Sequence, residues 1–544
     1  MTARILLIGS ILLTLAACAP TGSDRMRNGM MQGEGMMGGN QGMMQGSFLP
    51  ARDKDINALL EAKPTSVLEV KDGDTITLNP ELVRATINGK NFALYAYNGE
   101  FPGPTLKVKQ GSTFTVNVTN NIDVPTTIHW HGIRLENRFD GAAGVTQEAI
   151  EPGQSFTYTV KVPDEGMFWY HPHVREDLQQ DMGLYANLWV TPREENSYNP
   201  VSREEVVMLD DLYLEGGLPV PYGAQEADHA LMGRFGNTML INGKTDYALS
   251  VPRGSVVRYY LTNAANTRTF NVRFGDAKMK LVGGDAGRAE REKFVDSLIL
   301  SPSERAIVEV QFADTGTYKI ESVTSEQTWL LGTVTAAAGG AGGITAASVK
   351  ENADVVADID AFRPFFEKPV DKTIHLSVES RMAGMMQQGN PGGMDHGVHG
   401  GMASESDNEI EWEDPMPHMN AMSTKGNTQW KLIDEESKAE NMDIKYQFKV
   451  GDKVKIRIVN DEESDGSDHP MQHPIHFHGQ RFLVLAVDGK QNENLVWKDT
   501  VLVPTGQTVD ILLDVTNPGD WMFHCHIAEH LTNGMMGMFK VSEF

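Results

Sequence analysis

At 544 residues with 40% hydrophobic content, the chain is too long for one ordinary core and suggests about three domains of usual size. Its formal net charge of −26 argues against a nucleic-acid partner, since a phosphate backbone would be repelled, and suits a protein that attracts small cations. Cysteine occurs only at Cys18 and Cys525, so no structural disulfide is expected.

The chain opens on an export signal. Arg4 precedes an apolar run over 5–17 that ends in Leu15-Ala-Ala-Cys18, too short for a bilayer span of roughly 20 apolar residues. Residues 1–18 are similar to a bacterial lipoprotein signal with Cys18 lipidated; cleavage nearby without lipidation is the alternative. Either way the mature protein is expected in the periplasm or at the cell surface, touching a membrane only through that lipid. Residues 19–60 predict a flexible tail, with seven methionines between Met26 and Met44 among Gly, Gln and Asn and no strand or helix period.

Three repeats organise the rest of the chain. Gly111 to Asn120, Gly254 to Asn263 and Gly451 to Asn460 each combine a turn glycine, a β-rich strand and a closing asparagine. Later elements recur at Gly153, Ser303 and Gly506, then at Gly166, Gly316 and Gly519. Short alternating strands with regular turns predict three all-β domains of the Greek-key barrel or sandwich type, over 61–196, 197–345 and 346–544.

Histidines mark the outer repeats. In chain order they fall in Thr127-Ile-His129-Trp-His131-Gly, Trp169-Tyr-His171-Pro-His173, His473-Pro-Ile-His476-Phe-His478-Gly and Trp521-Met-Phe-His524-Cys525-His526-Ile-Ala-Glu-His530, holding 10 of the 16 histidines. A lone pair of this kind is more often a satisfied core histidine than a ligand, but four His-x-His couples joined to a cysteine point to metal. Alternate strand residues face opposite sides, so Cys525 points away from His524 and His526 and the segment can serve two centres. A thiolate, two imidazoles and an axial thioether make a blue electron-transfer copper site. Cys525, His530 and Met535 supply all but one imidazole, which the upstream cluster contains. The middle repeat carries Lys319 and Glu321 where the outer ones have His171/His173 and His524/His526, and roughly Asn271 and Arg273 in place of the other pairs. It is therefore read as a spacer, with metal held jointly by the first and third domains.

With these motifs, from about residue 65 to the C-terminus, the sequence closely resembles the multicopper oxidases, the family of laccases, ferroxidases and copper-efflux oxidases. The resemblance implies three cupredoxin-like domains and four copper ions. His473, Cys525 and His530 would hold type 1 copper with Met535 axial. His129 and His476 would hold type 2 copper, and His131, His171, His173, His478, His524 and His526 the type 3 pair. It also implies four-electron reduction of O2 to water, with electrons passing through His524-Cys525-His526. Asp140 matches the family's proton-delivering aspartate, although an Asp-Gly turn is the plain alternative. Some bacterial relatives carry a glutamate directly after the last type 1 histidine; this chain has Leu531, with Glu529 offset by two, which leaves a second proton route open.

Methionine indicates the electron donor. A Met-rich insert over 381–422 contains Met382, Met385, Met386, Met394, Met402, Met416, Met419 and Met422, is expected to be a flexible loop, and suits Cu(I) because thioethers are soft. The acidic run Asp461 to Asp468 just before His473 would draw cations toward type 1 copper or merely form a solvated turn. The reading is a cuprous oxidase acting as a monomer in copper tolerance. Alternatives are a laccase-like oxidase of phenols or other metal ions, and a non-catalytic copper-sequestering lipoprotein.

Overall fold

Gly111, Gly254 and Gly451 adopt φ of +91°, +81° and +100°, a left-handed turn conformation that glycine adopts without strain, and each opens the strand that organises its unit. In the computed structural model, residues 47–339, 348–380, 410–460 and 471–543 are described. Cys18, Met26 to Met44, Met382, Met385, Met386, Met394, Met402 and the acidic run Asp461 to Asp468 lie outside them.

The strands Thr113–Thr119 and Lys453–Asn460 alternate interior and exterior residues, as a strand covered on one face should. Their counterpart Ser255–Asn263 is buried along its whole length. Its second face is covered by the first unit, where Thr262 Oγ1 donates to Asn187 Oδ1 at 2.7 Å and the rings of Trp189 and Tyr260 lie 4.8 Å apart.

The architecture is all-β and cupredoxin-like, and one sheet pattern recurs. A parallel strand pair leads to a long glycine-opened strand and then to a short antiparallel one. The sequence of strands is Thr105–Lys109, Ala186–Thr191, Gly166–His171, His129–His131 first; Tyr247–Pro252, Thr328–Ala337, Gly316–Val323, Phe270–Arg273 second; and Lys445–Lys449, Met536–Ser542, Gly519–Cys525, His473–Phe477 third. Facing sheets close each unit over its own apolar cluster, centred on residues such as Trp130, Tyr259 and Phe523.

The repeat's closing asparagine explains why the short strand sits alike in every unit. Asn120 Nδ2 donates to Val124 O and Ile150 O, Asn263 Nδ2 to Arg268 O and Leu300 O, and Asn460 Nδ2 to Met471 O and Val503 O. Each buried amide ties the approach to the short strand to a second strand or loop, so the backbone ahead of the histidines is pinned.

Candidate metal centres

The paired strands His473–Phe477 and Gly519–Cys525 place Ile475 opposite Cys525 and His476 opposite His524, so the two faces of one strand pair look into two chambers. On one face His473 Nδ1 lies 3.4 Å and His530 Nδ1 3.7 Å from Cys525 Sγ, with the imidazole rings 5.2 Å apart. His530 sits on the helix Ala528–Thr532, and Met535 follows directly, its carbonyl accepting from Cys525 N at 3.2 Å. Cys525, His473, His530 and Met535 are all buried without exposure. Burial pushes the Cys525 thiol up and the His473 imidazole down to about 3, so a soft cation would meet a neutral imidazole and displace the thiol proton.

Trp430 roofs this pocket, its ring 4.6 Å from His473 and 4.5 Å from His530. Its Nε1 donates to Ala230 O at 2.9 Å, and Leu231 and Met232 of the same loop pack into the third unit's core. Residues of the middle unit thus seal a site to which they give no ligand.

On the other face, eight imidazoles converge from both ends of the chain. His131 stacks on His476 with ring centroids 3.8 Å apart, and His129 on His478 at 4.1 Å; His171 lies 5.1 Å from His526 and His173 5.3 Å from His524. Each ring but one spends a nitrogen on an outer acceptor. Nδ1 of His129 faces Asp140 O, of His171 Pro172 O, of His173 the Glu176 carboxylate, of His476 Asp499 O, of His478 the Asp140 carboxylate and of His524 Cys525 O. The remaining Nε2 atoms of His129, His171, His173 and His476, Nδ1 of His131 and both nitrogens of His526 are buried with no hydrogen-bond partner.

These bare nitrogens fit metal coordination. His478 and His524 make the point most sharply: both give Nδ1 to an acceptor, so their Nε2 atoms, 2.9 Å apart, present two lone pairs to each other. A cation relieves that repulsion. Burial and mutual repulsion hold His131, His171, His476, His524 and His526 well below the imidazole range, the neutral form a metal requires.

Asp140 accepts from His478 Nδ1 at 2.9 Å and lies 3.4 Å from His129 Nδ1. Burial alone would raise its pKa, but His478 and His129 overcome this and hold it well below the carboxylate range. Glu529 does face elsewhere: it is buried against the middle unit, accepting from Asn266 Nδ2 and Thr267 Oγ1 at 3.1 Å each, and burial pushes it up to about 8.

Sequence reasoning missed three contributors. Glu176 lies 2.9 Å from His173 Nδ1, Asp499 lies 3.0 Å from His131 Nε2, and Arg305 clasps Asp499. The spacing of Glu176, i+3 from His173 at the start of a helix, was a usable signal; Asp499 and Arg305 lie in no motif.

Besides the flexible tail expected over 19–60, whose end is ordered where Ser47–Phe48 pairs with Tyr222–Gly223 and Ala51 N donates to Asp123 Oδ2 at 2.9 Å, two expectations need correction. Counted from the glycine that opens each strand, the positions of His171/His173 and His524/His526 correspond to Glu321 and Val323, not Lys319 and Glu321. Strand pairing likewise puts Arg273, opposite Glu321, where His129 and His476 stand, rather than Asn271. The slip of two residues preserved the face, because the strand period is two. Second, the end of the insert is ordered: Met416 and Met419 bracket the start of a helix, Pro417–Ala421, and Met422 caps its end. Buried Asn420 anchors it, receiving Met232 N at 3.0 Å and donating to Gly233 O at 2.8 Å.

Comparison with known proteins agrees with this architecture. Family profiles described as multicopper oxidase match residues 81–195, 203–338 and 410–544. Multicopper oxidase mco of Staphylococcus aureus is 26% identical over 456 residues, covering 82% of this chain and 83% of its own length. Copper resistance protein A of Escherichia coli is 24% identical, covering 84% and 91% respectively. Among solved structures, the Campylobacter jejuni multicopper oxidase described as a metallo-oxidase superposes with a TM-score of 0.64 at 23% identity, over 89% of this chain and 98% of that one.

Proposed function

The chain belongs to the multicopper oxidase family, and we propose that it couples one-electron oxidation of Cu(I) to the four-electron reduction of O2 to water. His473, Cys525, His530 and Met535 would hold type 1 copper, His129 and His476 type 2 copper, and His131, His171, His173, His478, His524 and His526 the type 3 pair. When bound, these four coppers supply the one-electron acceptance and the multi-electron oxygen reduction that no side chain performs.

The observation that carries the reading is the position of Cys525 between two chambers. Its sulfur faces His473 and His530, while its chain neighbours His524 and His526 stand among the imidazoles of the first unit. A covalent link a few bonds long therefore joins the electron-accepting pocket to the imidazole chamber. The sealed pocket keeps water from Cys525, and Asp140, hydrogen-bonded to His478, would pass the protons that oxygen reduction consumes.

Support for Cu(I) as donor comes from the methionines. Asn420 fastens the helix of Met416, Met419 and Met422 to Met232 and Gly233, the loop whose Ala230 bonds the roof of the type 1 pocket. The helix that carries these thioethers is thus tied to the loop that bonds the pocket's roof, and Met422 is exposed. Similarity to a copper resistance protein points the same way. Export through 1–18 with lipidation at Cys18 completes the proposal, and among the described residues no helix is long and apolar enough to cross a membrane.

Oxygen uptake by the copper-loaded protein, measured side by side with Cu(I), Fe(II), Mn(II) and a bulky phenol, tests the reading. Cu(I) should give the highest kcat/KM, with four Cu(I) consumed per O2. A phenol preference identifies a laccase-like enzyme, and absence of any uptake identifies a copper-sequestering protein.

A further inference from the structure

The middle unit contributes no imidazole, yet its Arg305 is fully buried beside the imidazole chamber. Nε donates to Met167 O at 2.8 Å, Nη1 to Ser303 O at 2.5 Å and to Asp499 Oδ1 at 2.8 Å, and Nη2 closes a two-point clasp on Asp499. Asp285 of the middle unit accepts from Arg305 N at 2.8 Å and lies 3.1 Å from Lys498 Nζ. One guanidinium therefore joins all three units, and its planar fork fixes the orientation of the carboxylate as a point charge would not.

Asp499 lies between two rings, its Oδ1 3.6 Å from His476 Nδ1, whose closer acceptor is the Asp499 carbonyl at 2.8 Å, and nearer still to His131. Its Oδ1 lies 3.0 Å from His131 Nε2, with Thr500 Oγ1 at 3.1 Å from the same nitrogen. His131 is thereby reversed: it turns Nε2 outward and leaves Nδ1 without a partner, whereas His129, His171, His173, His476, His478 and His524 turn Nδ1 outward. Reversal requires an acceptor beyond the tip of the ring, and Asp499 is that acceptor.

We propose that Arg305 is a positioning residue for the trinuclear site: by clasping Asp499 it holds His131 in the tautomer and orientation that present Nδ1 to metal. The inference rests on reading the eight imidazoles as a trinuclear copper site. Loss of such an outer hydrogen-bond partner typically weakens metal binding about 10- to 100-fold.

The test compares wild type with R305K, R305M, D499N and R305M/D499N after copper loading, reading copper per chain, the blue type 1 absorbance, the type 2 electron paramagnetic resonance signal and retention against a chelator. R305M should keep its blue absorbance, release the other coppers about 10- to 100-fold more readily and show an altered type 2 signal. R305K should recover part of this, and the double variant should be no worse than the poorer single one, because Arg305 acts through Asp499. Wild-type copper content and an unchanged type 2 signal in R305M overturn the inference, as does parallel loss of type 1 copper. Should R305M not fold, D499N, which preserves size, decides by the same criteria. If wild type itself holds only one copper, the trinuclear reading falls first and this inference with it.

Discussion

Cys525 Sγ and His473 Nδ1 meet 3.4 Å apart across two paired strands, inside a pocket from which water is excluded. The contact is made by residues 52 apart in sequence, and among the described residues there is no other thiol. Cys525→Ser should therefore abolish the intense blue absorbance and all oxidase turnover, because a hydroxyl does not replace the thiolate. The imidazole chamber should still load copper, since His524 and His526 are untouched. Visible spectra and copper content check both statements, and a blue Ser variant would remove Cys525 from the site.

Asp140→Asn preserves shape and keeps an oxygen for one histidine, but it removes the negative charge beside His478 and His129. Oxygen turnover should fall by about 10²-fold or more, the range expected for loss of a positioned proton-transfer group. Copper content and blue absorbance should stay near wild type. Full turnover in the variant would reduce Asp140 to a turn residue.

The metal-free protein should lose stability in mild acid. Burial pushes His473 and His478 down to about 3, against an unfolded value of about 6.5. The unfolded chain therefore takes up protons below pH 6.5 that the folded chain refuses. The stabilising contribution is complete above pH 6.5 and is lost as pH falls toward 3, at about 1.4 kcal/mol per pH unit for each group. Thermal unfolding of chelator-treated protein between pH 7.5 and 5.5 should show Tm dropping with pH, and a flat profile would contradict the buried neutral imidazoles.

Deleting 382–409, rather than the whole insert, spares Asn420 and the contacts that fasten its helix to Met232 and Gly233. The shortened protein should fold and stay blue. Cuprous kcat/KM should drop by roughly tenfold, the loss of one or two soft ligands from a cation path, while turnover of a bulky phenol should hold or rise. Unchanged cuprous turnover would detach the methionines of 382–409 from the donor.

Much of the site is legible in the sequence. The division of His524 and His526 from Cys525 follows from strand alternation and is what the two chambers show. The repeated glycine and asparagine marked three units, and Asn120, Asn263 and Asn460 prove to do the same work in each. The same periodicity allowed the misplacement of Glu321, since a shift of two keeps a residue on its face.

What the sequence determined by itself was the chemistry of the donors and the face each one occupies, because both are local: a side chain's ligand atom, and a backbone period of two. Only the tertiary structure decided that His131 stacks on His476, that Trp430 and Ala230 close the pocket around Cys525, and that Arg305 of the ligand-free unit reaches Asp499. Those contacts depend on where three separately packed units meet, and packing between units leaves no period along the chain.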